Sequence, residues 1–310
     1  MIVTLTANTT MDQVMMIPAF VAGATLRATQ TFHTIGGKPT DASYILGKHG
    51  IPSLALGFAG GAIGMRITQI LQEAGATVDF VEVDGESRMA IVLATADDSL
   101  QTTITPNTLH VHAHHVEALF AQLERVLPRA SCLVTGGTLP HGLTPAFYTR
   151  VVTLARAHGV AVVMDAKADN LRAGLAAGVS FIKPNREELE GLMERPLPTL
   201  EAVHHAGREL AQRYGVTAVI TLGGEGALVV QAERAWHIPP IKIAVVSAVG
   251  AGDAVLAGVA RVASGQLSLE DGLRFGVATA TAVCLHPGTA NFELETMRAF
   301  LPQVQFLPYA

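Results

Sequence analysis

Cysteine is almost missing from this chain. Its two cysteines, Cys132 and Cys284, stand far apart and outside any CxxC or CxxH spacing. That excludes a disulfide framework and a cysteine-built zinc site, and it fits a reducing compartment, so the expected localisation is cytoplasmic. Charge is sparse as well. Only 15% of residues are Asp, Glu, Lys or Arg, with 21 basic against 26 acidic and a net charge of -5. A chain that lacks a basic excess lacks the footprint of a general nucleic-acid binder. Several familiar motifs are absent: no GxxxxGK[ST] loop, no GxSxG elbow, and no correctly spaced GxGxxG in the glycine-rich segment 57–64. The N-terminus has neither a basic stretch nor a long apolar run, so no secretory leader is expected. The one stretch that could pass for a membrane span, 241–260, carries Lys242 and Asp253. An aspartate in mid-span is costly, so the stretch reads as a buried strand running into a buried helix.

What is present is apolar. Of 310 residues, 49% are hydrophobic, enough to build the core of one large domain. Short β-branched runs recur at 132–135, 160–164, 179–182, 216–221 and 242–246. Helix-like stretches such as 145–158 and 200–214 lie between several of them. Strands alternating with amphipathic helices predict a mostly parallel α/β sheet covered on both faces. Two segments, roughly 10–35 and 85–106, differ: they alternate and show little helical period. Within the second, 89–94 and 101–105 read as a hairpin around Asp97-Asp98. A small sheet projecting as a lid is the expectation, within a single domain spanning 1–310.

Four constellations carry chemistry. Ser247-Ala-Val-Gly250-Ala251-Gly252-Asp253 is expected to join a strand at 241–246 to a helix at 254–263. Small residues free the amides of Gly250, Ala251 and Gly252, and a helix N-terminus adds partial positive charge, making an anion site. An aspartate inside an anion site makes sense if Asp253 takes a proton from an alcohol attacking a phosphoryl group. Gly36-Gly37-Lys38 allows close backbone approach to a ligand and offers a cation. In Lys183-Pro-Asn185-Arg-Glu-Glu188, Asn185 and Glu188 stand three apart; they suit magnesium, or else a helix-capping box. Thr221-Leu-Gly223-Gly-Glu-Gly226 makes room for a ring or a phosphate tail. A histidine cluster, His110, His112, His114 and His115, opens a helix at 114–127 and could capture a transition metal.

Taken in this order, these residues resemble the PfkB family of sugar kinases, nearest to its 1-phosphofructokinase and tagatose-6-phosphate kinase branch. The likeness runs from Thr6-Ala-Asn-Thr-Thr-Met-Asp12 to Pro287-Gly-Thr289 and includes Gly137-Thr138-Leu-Pro140. It implies a ribokinase-like three-layer α/β/α fold with a small β-sheet lid. It also implies ATP-dependent phosphoryl transfer to a hydroxyl of a sugar phosphate, with magnesium. On that resemblance Asp253 is the base, and Gly250, Ala251 and Gly252 hold the transferring group. Asn185 and Glu188 hold magnesium through water, and Lys183, Thr221, Gly223 and Gly226 line the ATP site. Asp12, Gly36, Gly37, Lys38, Asp41 and Thr138 contact the sugar, while Arg27, Lys38 and Arg88 supply positive charge. Pairing of two copies through the lid is a further expectation. The substrate end departs from the family pattern. Pro39 removes an amide donor after Gly36-Gly37-Lys38, Asp41 replaces an asparagine, and Ala90 stands where asparagine is common. These departures keep open a kinase of a non-phosphorylated sugar or other small alcohol, and a sugar or nucleotide binder without turnover.

Overall fold

The computed structural model describes residues 1–95, 101–106 and 109–309. The chain opens with β1 (Ile2–Thr6), β2 (Thr10–Ile17), β3 (Gln30–Gly36), α1 (Lys38–Lys48), β4 (Ser53–Ala59), α2 (Gly61–Glu73) and β5 (Thr77–Glu82). It continues with β6 (Arg88–Thr95), β7 (Gln101–Ile104), α3 (Ala113–Val126), β8 (Cys132–Gly136), α4 (Ala146–Ala157), β9 (Ala161–Asp165), α5 (Ala168–Ala177) and β10 (Phe181–Ile182). Next come α6 (Arg186–Met193), α7 (Leu200–Tyr214), β11 (Thr217–Thr221), β12 (Ala227–Val230) and β13 (Ala235–Ile238). The last elements are α8 (Ala251–Ala263), α9 (Leu269–Val283), α10 (Leu294–Phe300) and β14 (Leu307–Tyr309).

The main sheet runs β14-β13-β12-β11-β10-β9-β8-β1-β4-β5. From β5 to β11 every pairing is parallel; β11 to β14 pair antiparallel. Strands β1, β4 and β8 are buried along their whole length because both faces of the sheet are covered. In β1, Val3 and Leu5 enter a core with Leu119, Phe147 and Leu171 of α3, α4 and α5. Ile2, pointing the other way, joins Ile45, Leu256 and Leu273 of α1, α8 and α9. The result is the expected three-layer architecture. A fully buried Leu or Ile of this kind contributes about 1.5–3 kcal/mol.

The smaller sheet, β3-β2-β6-β7, is the expected lid. Strand β2 pairs antiparallel with β3 and parallel with β6, which pairs antiparallel with β7. One face packs Val14, Met16, Val92 and Ala94 with Phe32. The lid strands begin and end beside the main sheet: β1 leads to β2 within four residues, and β3 runs through Gly36 into α1. The predicted hairpin is present; its Asp97-Asp98 tip lies outside the described residues.

Several boundaries differ from the sequence reading. The strand expected at 241–246 is not a strand. Pro239 and Pro240 follow β13, remove two amide donors and turn the chain off the sheet. β14 takes the edge beside β13 instead. Residues 239–250 cross irregularly over the sheet end, and the alternating Ile241, Ile243 and Val245 line a cavity. Helix α8 begins at Ala251 rather than 254, and β10 keeps only two residues of 179–182. Among the described residues no helix is long and apolar enough to cross a membrane.

Candidate active site

The parallel strands end along one edge, and the loops that follow them carry the polar residues. Strand β9 ends on Asp165, which has no exposed surface. Lys183 follows β10 and is 3% exposed; its Nζ lies 2.7 Å from Asp165 Oδ2. Lys38, at the start of α1, donates to Asp165 Oδ1 and, at 2.7 Å, to Glu188 Oε1. Burial pushes the Asp165 carboxyl up, but Lys183 and Lys38 outweigh it and hold the pKa below the usual range. Burial would lower Lys38, yet Asp165 and Glu188 hold it well above an ordinary lysine. Thus Lys38 stands with Lys183 on one side of the cleft, its charge paired with Asp165 and Glu188.

Asn185 and Glu188 form a reciprocal cap on α6. Asn185 Oδ1 accepts from the Glu188 amide at 2.8 Å, and Glu188 Oε2 accepts from the Asn185 amide at 3.0 Å. The capping role and a metal role are compatible. A carboxylate has about four lone-pair sites, so one that accepts from Lys38 and one amide retains room for a water. Both side chains line a cavity of about 700 Å³, a size typical of small-molecule sites. Thr221, Gly223 and Gly226 line it as expected. Val277, Ala280, Thr281 and Cys284 of the α9 region form a facing wall.

Gly250 is the N-cap of α8 with φ +82°, and a Cβ there would strike the amide of Ala290. The amide of Ala251 donates to Ala248 O at 3.2 Å, and that of Asp253 to Gly250 O at 3.1 Å. So of the three amides expected to be free, the Ala251 amide is spent in a turn. Gly250 and Gly252 have no backbone acceptor among the described residues. They sit at the positive end of α8 with Lys183 Nζ close to Gly252. Asp253 lies in the first turn and lines the cavity. Burial, then the nearby Asp165 charge, push its pKa up to about 7, while Lys183, Lys38 and a hydrogen bond from Asp41 act the other way. A carboxylate poised near neutrality is suited to general-base work.

The other side of the cleft belongs to the lid. Asp12 is on β2, and a Cβ on Gly36 would lie 2.5 Å from its Oδ1, so only glycine fits beside it. Thr289 Oγ1 donates to Asp12 Oδ2 at 3.3 Å. Burial pushes Asp12 up to about 6, opposed by Thr289 and by Arg88. Arg88, opposite Thr10 in the β2–β6 register, has a buried Nε without a hydrogen-bond partner among the described residues. Asp41, 2% exposed, meets Asp253 from α1. Gly37, with φ +96°, caps α1. Thr138 accepts from Asn8 Nδ2 at 3.1 Å, and the buried Asn8 Oδ1 has no partner among the described residues.

Two groups singled out from the sequence stand apart from this cluster. Arg27 stands exposed between β2 and β3, and no ion pair or hydrogen bond ties it to these residues. The histidines at 110–115 stack on one another and on His141, and His115 Nδ1 accepts from the His112 amide to cap α3. No metal-holding group of His, Cys, Asp or Glu exists among the described residues. Sequence reasoning missed Asp165, which unites both lysines, and also Asn8, Thr289 and the apolar wall from Pro240 to Val245. Asp165 had a signal: a lone carboxylate closing the apolar run Ala-Val-Val-Met at the end of a parallel strand.

Residues 3–297 match the family described as pfkB family carbohydrate kinase. The chain is 29% identical over 307 residues to the 1-phosphofructokinase of Bacillus subtilis, covering 98% of this chain and 99% of that one. It is 28% identical over 263 residues to the tagatose-6-phosphate kinase of Staphylococcus epidermidis, covering 84% of each. Among solved structures, phosphofructokinase-2 of Escherichia coli superposes with a TM-score of 0.88 at 26% identity, over 97% of this chain and 98% of that one.

Proposed function

The chain belongs to the pfkB family of carbohydrate kinases, and from that premise we propose that it transfers the γ-phosphoryl group of ATP to a hydroxyl of a sugar phosphate. The observation that carries this reading is the placement of Asp253. It lies at the positive end of α8, between a cavity bearing Lys38 and Lys183 and a lid side bearing Asp12 and Arg88. The names of the relatives supply the acceptor class: a fructose 1-phosphate, fructose 6-phosphate or tagatose 6-phosphate type of substrate.

In this mechanism Asp253 accepts the proton of the acceptor hydroxyl as its oxygen bonds to the γ-phosphorus and the bond to the departing ADP oxygen breaks. The amides of Gly250 and Gly252, with Lys183 beside them, face the charge on the transferring group. Lys38 and Lys183 stay fixed by Asp165, so they need no reorganisation during the step. Asn185 and Glu188 would hold magnesium through its waters, consistent with its usual dependence on few carboxylates plus phosphate oxygens. That ion neutralises phosphate charge when bound. Arg88 binds the phosphate already on the sugar, and Asp12 accepts from sugar hydroxyls. The lid excludes water, which would otherwise compete as acceptor. Phe20, Val21 and Ile104 leave apolar surface exposed on the lid, which supports pairing of two copies there.

One observation favours a second reading, a kinase of an unphosphorylated sugar. Asp12, Asp41 and Asp253 converge with Arg88 as the one cation acting on Asp12. The test is ADP release with magnesium-ATP across the three phosphosugars and their free sugars, with Asp253→Asn as the blank. Turnover confined to a phosphosugar is the expected result; turnover only on a free sugar would replace it with the second reading.

A further inference from the structure

A second cavity, of about 610 Å³, lies apart from the one that bears Lys38 and Lys183. Strand β3 of the lid, helices α1 and α2, and residues 287–291 enclose it. Its volume is within the range of small-molecule sites, and its lining shares no residue with the first cavity. Lys48, in the last turn of α1, is a cation without a counter-ion. Its Nζ donates to Phe292 O at 2.9 Å and lies 4.8 Å from the centre of the Phe292 ring. An ammonium has three donors, so two are left. Among the described residues no carboxylate forms an ion pair with it; Glu293 acts on it only at longer range. Arg66 of α2 lines the same cavity, and its ion pair with Glu73 is a loose 3.8 Å. Glu73 is the one acid in the lining. Thr34 Oγ1 accepts from the Thr289 amide at 3.4 Å, which leaves its own hydroxyl proton without an acceptor among the described residues. Phe32, Tyr44 and Ile70 add apolar surface.

We propose that this cavity binds a small phosphorylated metabolite as an effector, its phosphate against Lys48 and Arg66 and its carbon body against Phe32, Tyr44 and Ile70. A phosphate monoester brings close to two negative charges and three acceptor oxygens, which matches two cations and a spare hydroxyl donor. A carboxylate brings one charge and two oxygens, fewer than the donors present. Residues 287–291 carry the coupling to the reaction cleft. They line the second cavity through Pro287, Thr289 and Asn291. Thr289 Oγ1 also donates to Asp12 Oδ2, and the Ala290 amide donates to Val249 O, beside the Gly250 turn. A ligand that bridges β3 and α1 to this segment favours the arrangement in which Thr34, Thr289 and Asp12 are joined. It therefore favours binding of the acceptor, and by linkage the acceptor favours the effector equally. The effector role rests on the proposed kinase reaction; the binding site does not.

Calorimetric titration with inorganic phosphate tests the site without turnover. A binding event is expected that Lys48→Met weakens by about 10-fold or more, the worth of a charge-assisted contact, and that Arg88→Ala leaves in place. Glu73→Gln removes the acid from the lining and should tighten the same event by about two- to fivefold. A damaged fold would not tighten it. No measurable phosphate binding, or an isotherm unchanged in Lys48→Met, would overturn the site. An isotherm lost in Arg88→Ala but kept in Lys48→Met would place the phosphate in the acceptor site and overturn it as well. Malonate should bind more weakly than phosphate; tighter binding would replace the phosphorylated ligand with a carboxylate. The effector role is read from KM for the acceptor found by ADP release. Wild type and Lys48→Met should share one KM without phosphate, and added phosphate should make the wild-type value the lower of the two. Equal values with phosphate present would overturn the coupling. If no acceptor in the panel is turned over, the kinase reading fails while the calorimetric result stands.

Discussion

The two sides of the cleft handle charge in opposite ways. On the side of the large cavity, Lys38 and Lys183 converge on Asp165, with Glu188 also accepting from Lys38, and the cluster is neutralised inside the protein. On the lid side polar atoms are left over: the Arg88 Nε, the Asn8 Oδ1 and one oxygen of Asp41 have no hydrogen-bond partner among the described residues. The charges of the first side are paired within the protein before any ligand arrives. The second is incomplete without one, which suits the part of the site that selects the acceptor. Asp253 stands where the two meet, and its raised pKa reflects both: burial and the Asp165 charge push it up, while the lysines and Asp41 pull it down.

The sharpest way to break this comparison is at the junction. Asp253→Asn should lower kcat by about 10²–10⁴-fold, the usual worth of a positioned general base, while ATP binding measured by calorimetry persists. Loss of ATP binding together with turnover would show that the residue belongs to the charge-paired side rather than to the chemistry. Next is the charge-paired side itself. Asp165→Ala strands the buried Lys183 ammonium and leaves the half-buried Lys38 with Glu188 alone, and should cost about 3–5 kcal/mol in urea unfolding, the typical effect of removing one partner of a buried pair. A loss under about 1 kcal/mol would mean that solvent reaches the lysines as freely as on a surface. The smallest effect belongs to the lid side. Arg88→Ala should raise KM for a phosphosugar by about 10–100-fold, the worth of one or two charge-assisted contacts, and change free-sugar kinetics little. Equal damage to both would remove the phosphate-clamp role.

Acid sensitivity belongs to the junction too. Asp253 must be ionised to accept a proton, so kcat/KM should fall as pH drops below about 7. The direction follows from the raised pKa: protonation begins at a higher pH than for an exposed aspartate.

Legibility along the chain followed the range of the interactions. The cap formed by Asn185 and Glu188 spans three residues, and its spacing was readable whichever role it served. The Gly250 turn was readable because small residues beside a helix start permit few backbone paths. The lid was visible in the alternation of β2, β6 and β7. The failures involve partners far apart in sequence. Residues 241–246 have the composition of a strand, yet whether a strand forms depends on a free edge, and β14 takes that edge. The ion pair of Lys38, a residue that the resemblance places at the sugar, was out of local reach too: its partner Asp165 is 127 residues away.

The sequence by itself therefore determined the α/β alternation, the glycine turns and the position of the aspartate proposed as the base, because each depends on local period, local backbone freedom or one side chain in a short loop. Only the tertiary structure decided which charges are spent and which are left over. That outcome depends on the parallel strands bringing Lys38, Asp165 and Lys183 to one edge, and on the packing that buries Asp41 and leaves its Oδ1 without a partner among the described residues. Whether a buried carboxyl carries charge is set by the groups around it, and no local pattern in the chain encodes them.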